Sequence, residues 1–247
     1  MITTYFQKIE EKLKMVLLNE QKQMELAAEK IAESIQGGGI VQLFGCGHSH
    51  ILTEEVFYRA GGLAPIKPIF HEPLMLHEGV VRSSQLERQN DYAASFIQSE
   101  DIHETDCMIV LSTSGRNPVP VDVALFSKQK GAYVIGVTSI TYSESQPPRH
   151  KLGLRLGDVV DLVINNHSEI GDAVLFHDEI EVPFAPTSTV VGATIVNSIF
   201  AEAIKIMTSN GFEPPVFLSG NLEGADGHNS VLVEKYKGRI PLLAVRE

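Results

Sequence analysis

The sequence predicts an α/β protein: a three-layer α/β/α sandwich with a mostly parallel sheet of about five strands and a long helix at its N-terminus. Three observations predict it. Short aliphatic runs bounded by polar residues recur along the chain, the pattern of strands buried on both faces. The stretch from Cys107 to Ser139 reads strand, helix, strand, which is a parallel βαβ unit with a right-handed crossover. The residues before the first strand carry a continuous apolar stripe at helical spacing.

From Thr3 or Thr4 to about Gln36, Phe6, Ile9, Leu13, Val16, Leu17, Met24, Ala27, Ile31 and Ile35 form that stripe, and Gly37-Gly38-Gly39 ends the helix. Such a helix is longer than one small sheet covers, so part of its stripe is expected to pack on another subunit. Ile40 to Phe44 is the first strand, followed by Gly45-Cys46-Gly47-His48-Ser49-His50 and a helix through Glu54, Glu55, Phe57 and Tyr58. The two glycines begin a dinucleotide fingerprint, but His50 stands where the third glycine belongs. Pro65 to Phe70 is the second strand. His71, Glu72, His77 and Glu78 follow it, lacking the spacing of a zinc-binding helix and interrupted by Pro73, so they read as crevice lining rather than a metal site. Ser83 and Ser84 start a polar helix through Leu86, Glu87, Tyr92 and Phe96.

The third strand is Met108 to Leu111. Asn117 and Pro118 read as N-cap and first-turn proline of the next helix, whose apolar residues Val121, Ala124 and Leu125 recur until Lys128 and Gly131 close it. Tyr133 to Val137 is the fourth strand. Ser112-Thr113-Ser114-Gly115 lies between strand and helix, at the carboxyl end where open α/β sheets bind ligands. Its hydroxyls and free amides, with the helix dipole behind them, suit an oxyanion such as a phosphate monoester; the bland alternative is a tight turn satisfied by its own side chains. Thr138 to Leu152 is a polar loop, and a short strand from Val159 to Ile164 ends at Asn165-Asn166-His167. The acidic segment from there to Pro186 is too long for a simple connection, and is expected near the site or at a subunit contact. Thr187 and Ser188 cap an apolar helix through Val190, Ile195, Val196, Ile199, Phe200, Ala203 and Ile206, and a polar, glycine-rich tail with Asn221, Asp226, His228 and Asn229 follows.

At 247 residues the chain accommodates one elaborated domain, 1–247, with its core over about 30–210, the helix 3–36 and the tail 211–247 as additions. A net charge of −11 without clustered Lys and Arg argues against a nucleic-acid partner. Cys46 and Cys107 beside buried strands predict free thiols and a cytoplasmic protein. No run is read as a membrane span, and no signal peptide is seen.

Ser112-Thr113-Ser114-Gly115 after a buried strand, together with the G-x-G-x-S run ending at Ser49, resembles the sugar isomerase (SIS) domain, a phosphosugar-binding fold found in isomerases, in a cell-wall sugar etherase and in sugar-sensing regulators. The runs YRAGGLAP from Tyr58 and SGRNPVP from Ser114 resemble one subset of that family. The resemblance implies that Ser49, Ser112, Thr113 and Ser114 hold the phosphate, that no cofactor or metal is needed, and that the protein forms a homodimer or larger homo-oligomer. The regulators carry a DNA-binding helical domain for which one helix leaves no room. In phosphoheptose isomerase and the etherase a glutamate stands ten residues after the loop serine; here that position is Arg59, whose guanidinium stays protonated. Glu55, one turn earlier, is the candidate carboxylate, or else the salt-bridge partner of Arg59. Glu87 is a loose counterpart of a second acidic residue in the etherase. By analogy with the C-terminal histidine of phosphoheptose isomerase, His228 is the candidate histidine, with His48 and His177 as rivals. The function expected is an aldose-ketose isomerase, or related lyase, acting on a sugar phosphate by proton transfer; the alternative is a non-catalytic sugar-phosphate sensor.

Overall fold

A computed structural model describes residues 1–244; the last three residues of the tail 211–247 lie outside the described residues. The chain runs α1 (Ile2–Gln36), β1 (Val41–Gly45), α2 (Ile51–Glu55), β2 (Ile66–Pro68), α3 (Val80–Glu87), α4 (Ala94–Ile97), β3 (Cys107–Leu111), α5 (Pro118–Gln129), β4 (Tyr133–Thr138), α6 (Ile140–Glu144), α7 (Leu156–Val159) and β5 (Leu162–Asn165). The hairpin β6 (Leu175–His177) and β7 (Ile180–Phe184) follows, then α8 (Ser188–Ser209) and α9 (Ala225–Tyr236). The main sheet has five strands, all parallel, in the order β2-β1-β3-β4-β5.

Alternation along β3 shows why its run is unbroken: Cys107, Ile109 and Leu111 pack into one core with α1, α2 and α8, while Met108 and Val110 pack into the other with α4, α5 and α7. Each residue of β3 is buried, so a strand covered on both faces has no polar position to offer. A third, smaller cluster joins Ile40 and Ala64, just before β1 and β2, to Phe217, Tyr236 and Ile240 of the tail. The second half of α1 is itself core: Ala27, Ala28, Ile31, Ala32 and Ile35 are buried against the sheet and α8.

Several elements differ from the sequence reading. The polar helix expected from Ser83 to Phe96 is two short helices, α3 and α4, separated by a segment in which Asp91 has φ +66°. The strand expected from Val159 starts at Leu162, because Leu156–Val159 is a helical turn. The acidic segment before Pro186 holds the antiparallel hairpin β6–β7, which stands outside the main sheet. Helix α8 is long and apolar enough by composition to cross a membrane, which corrects the reading that no run reaches that length. Its place is the core, where Val191, Ile195, Ile199 and Ala203 are buried against α1.

Candidate functional site at the switch point of the sheet

The strand order reverses between β1 and β3: from β1 the chain goes first to β2 on one side, then to β3 on the other. The loops leaving these two strands therefore diverge, and the crevice between them is where an open α/β sheet admits a ligand. They are the Cys46–His50 turn and the Ser112–Asn117 loop.

The first loop folds as a tight 3-10 turn, Gly47–His50, with the Ser49 amide donating to the Cys46 carbonyl at 2.9 Å. A side chain at Gly45 would put its Cβ 2.6 Å from the Ser49 carbonyl oxygen, so only glycine lets the turn close against the strand end. The second loop is tied to β4: the Ser112 amide donates to the Val137 carbonyl at 3.0 Å, and the Ser139 amide donates to the Thr113 carbonyl at 2.9 Å. Gly115 has φ +59°, and a Cβ there would lie 2.5 Å from Thr138 Oγ1.

The four loop residues divide by what they already bind. Ser112 is buried, and its Oγ accepts the Gly115 amide at 3.3 Å, so it serves the loop itself. Thr113 Oγ1 lies 3.5 Å from Asn166 Nδ2. The hydroxyls of Ser49 and Ser114 have no hydrogen-bond partner among the described residues, nor do the amides of Thr113 and Ser114. Half-buried donors without acceptors, converging at a helix N-terminus, make a receptor for an anion.

The Asn117 side chain does not cap α5 as expected. It turns across the crevice, where Nδ2 donates to Glu87 Oε1 at 2.9 Å and Oδ1 accepts from Arg149 Nη1 at 2.8 Å. Glu87 ends α3, which packs against α5 and the first loop. Burial pushes its carboxyl above the ordinary carboxylate range, against the pull of the Asn117 hydrogen bond and the charges of Arg88 and Arg149. Cys46, at the start of the first loop, is buried; burial first and the Glu87 charge second push its thiol well up, so it is no thiolate nucleophile. Cys107 is also free and buried, as the place of the two cysteines beside buried strands suggested.

Glu55 and His228 are both engaged with partners outside the serine loops. Glu55 ends α2, ion-paired to Arg59. His228 lies on α9, its Nε2 bonded to the Val216 carbonyl at 2.8 Å beside the segment leading into β2. Among the described residues neither shares a hydrogen bond or ion pair with the serine loops. His48 is exposed on the first loop, and His177 is exposed on the hairpin. His71 bonds Tyr92 Oη at 2.8 Å and stacks on Phe96. Asn117 and Arg149 went unrecognised because nothing in their local sequence marks them; the Asn-Pro dipeptide indicated a cap, and the loop at Arg149 folds back from far along the chain.

A parallel sheet of order 2-1-3-4-5 with loops diverging at its switch point defines the flavodoxin-like class of doubly wound α/β domains. Residues 4–139 match the family described as SIS domain. The chain belongs to the SIS domain family, and within it to the group of UPF0309 proteins: it is 70% identical over 245 residues to UPF0309 protein BH0227 of Halalkalibacterium halodurans, covering 99% of this chain and 98% of that one. Among solved structures it is similar to phosphoheptose isomerase GmhA from Neisseria gonorrhoeae, with a TM-score of 0.52 at 11% identity over 84% of this chain and 97% of that one. A phosphoheptose isomerase from Francisella tularensis gives a TM-score of 0.52 at 14% identity, over 83% and 96% of the two chains. At these identities the likeness concerns the fold.

Proposed function

We propose that the protein binds a sugar phosphate at the switch point and isomerises it between aldose and ketose forms. The observation that carries this reading is the juxtaposition in one crevice of unpartnered donors, from Ser49, Thr113 and Ser114, with the half-buried carboxyl of Glu87. The donors would receive the phosphate oxygens without a metal. Glu87, its pKa raised above the ordinary carboxylate range by burial, would take a proton from the carbon next to the carbonyl and return it to the former carbonyl carbon of the enediol, while the hydroxyl proton passes to the carbonyl oxygen. Asn117, fixed between Glu87 and Arg149, would orient that carboxyl. The same two groups would serve a lyase that removes a substituent beside the abstracted proton.

In this reading Glu87 replaces Glu55 as the base. Glu55 and His228 would act only on a sugar held by a neighbouring subunit, in a homo-oligomer such as the exposed apolar half of α1 suggests. One observation favours the sensor alternative: Arg59 stands where the resemblance to phosphoheptose isomerase leads one to expect a glutamate, and it is ion-paired to Glu55.

The test is thermal stabilisation by a panel of sugar phosphates and their unphosphorylated counterparts, repeated with Ser114→Ala, followed by turnover of any stabilising compound. A ligand that binds only the folded chain raises its melting temperature once its concentration exceeds Kd. Selective stabilisation by a sugar phosphate, lost in Ser114→Ala, supports the site. With such a ligand, Glu87→Gln should lower turnover about 100-fold or more, while Glu55→Gln stays within about tenfold. Stabilisation without turnover points to the sensor, and no response to any sugar phosphate removes the phosphosugar reading.

A further inference from the structure

Arg116 follows directly on the Ser112–Gly115 loop, Arg88 follows directly on α3, and Arg149 lies on the loop between α6 and α7. The fold gathers them beside Glu87. The Arg149 amide donates to the Arg116 carbonyl at 2.9 Å, and its guanidinium donates to Asn117 Oδ1 at 2.8 Å. Arg116 donates through Nε and Nη2 to the Pro147 carbonyl at 3.1 and 2.7 Å. Arg88 has no side-chain partner among the described residues.

The loop that carries Arg149 is fastened on both sides. Asn90 Nδ2 donates to the Arg149 carbonyl at 3.3 Å, and Asn90 Oδ1 accepts the Lys151 amide at 2.7 Å. The buried His150 ring donates through Nε2 to Asp122 Oδ1 of α5 at 3.0 Å, because its Nδ1 accepts the Leu152 amide. Such anchoring holds a cation in place rather than leaving it on a free surface.

These guanidinium groups have no direct acidic partner among the described residues: none of the three is ion-paired to an Asp or Glu, whereas Arg59 and Arg239 both are. After burial, the charges of Arg116 and Arg88 are the next causes that lower the Arg149 pKa, so the three stand close enough to repel. Glu87 reaches the group through Asn117, and its charge offsets part of theirs at Arg149, one carboxylate beside three guanidinium groups. In a chain of net charge −11, three like charges brought near one another beside the serine loop, two of them tethered, mark a place where an anion belongs. The phosphate receptor is built of hydroxyls and amides, and the tethers of Arg116 and Arg149 run to Pro147 and Asn117 instead.

We propose that the substrate carries a second anionic group, a carboxylate or a second phosphate, and that Arg88, Arg116 and Arg149 receive it. Resting on the phosphosugar reading, this narrows the substrate class to sugars with anions at two positions. The planar fork of a guanidinium pairs both oxygens of a carboxylate or phosphate, which gives the site direction as well as attraction.

Calorimetric titration with four probes tests it: glucose 6-phosphate, gluconate, 6-phosphogluconate and fructose 1,6-bisphosphate. One or both of the two-anion probes should bind at least about tenfold tighter than glucose 6-phosphate, the size expected of one added charge-assisted pair. Which of them gains tells a carboxylate from a second phosphate. Arg88→Gln should abolish the gain while leaving glucose 6-phosphate within about threefold of wild type. Arg88 makes no side-chain bond among the described residues, so this variant keeps the fold and the Asn117 contacts intact, and Arg149→Gln should abolish the gain as well. Equal affinity for one-anion and two-anion probes, or equal losses for all probes in the arginine variants, overturns the second-anion site and leaves the phosphosugar reading standing. Binding of no sugar phosphate, with Ser114→Ala without effect, removes the phosphosugar reading and this inference with it.

Discussion

Glu87 is where the proposed chemistry and the stability of the protein oppose each other. Its carboxyl is hydrogen-bonded by Asn117 yet titrates above the ordinary range, because desolvation outweighs the bond and the nearby Arg88 and Arg149. A carboxyl whose folded pKa is raised contributes stability fully at pH below its ordinary value, and that contribution is lost as pH rises through the raised value. At neutral pH, therefore, ionised Glu87 weighs against folding. Glu87→Gln keeps an oxygen to accept from Asn117 Nδ2 and should raise stability at pH 7 by about 1 kcal/mol, measured by urea unfolding, with the gain shrinking toward zero below about pH 4. A gain that does not depend on pH would contradict this account. The same raised pKa places the acidic limb of the turnover profile above the ordinary carboxylate range, since the base must be ionised.

At the scale of elements, the ends of helices and strands are held by partners distant in sequence. Helix α8 begins at Thr187 and Ser188, but neither side chain caps it; Asp172 Oδ1 accepts the amides of Thr187 at 3.1 Å and Ser188 at 3.0 Å. Asp172→Ala is expected to cost about 1–2 kcal/mol, the range of a lost N-cap, while Asp172→Asn, which retains the acceptor, should cost less. Thermal unfolding of both variants checks it, and equal losses would mean that packing of the segment, not the cap, is what Asp172 supplies. Helix α1 is joined to the carboxyl end of β5 in a similar way: Glu20 accepts the Asn165 amide at 3.2 Å and pairs with the His167 ring at 2.9 Å. That contact sits at the end of the sheet where Asn166 approaches Thr113, so the long helix supports the serine loop as well as the core.

At the scale of the whole molecule, the two halves of α1 have different surroundings. Its second half is buried under the sheet, whereas Phe6, Leu17 and Leu18 of the first half are 64%, 60% and 70% exposed. The hairpin adds Phe176 and Val182, also exposed, and Tyr5 Oη donates to the Pro186 carbonyl at 2.7 Å, which joins the start of α1 to the hairpin's end. Apolar side chains this large and this grouped on a charged chain are expected to be covered by a second copy. Light scattering after size exclusion should give a dimer or larger species, and the pair Phe6→Glu and Leu18→Glu should shift it toward monomer. A monomeric wild-type protein at micromolar concentration would remove the shared-site role left to Glu55 and His228.

The fold class was legible because a parallel sheet between helices writes itself into local sequence. Runs such as Cys107–Leu111 are unbroken when both strand faces are covered, and the helical stripe of α1 repeats with the period of its own backbone. The turn that carries the candidate anion loop was legible for the same reason, since Ser112-Thr113-Ser114-Gly115 is one contiguous segment between a strand and a helix whose own signals are strong. Glu87 was visible only as a loose family counterpart, and Asn117 and Arg149 not at all. Their roles arise where α3, α5 and the loop before α7 converge, and no period or spacing records which helix end will face which loop. Glu55 looked better in sequence, because it lies one turn from Arg59 on the same helix, and that proximity made the ion pair the structure contains. Strands, helices and the contiguous serine turn were thus determined by local pattern alone. Which carboxyl is drawn out of water, and which arginines lack a direct acidic partner among the described residues, was decided by tertiary packing, because burial and the distance between charges are properties of the folded chain.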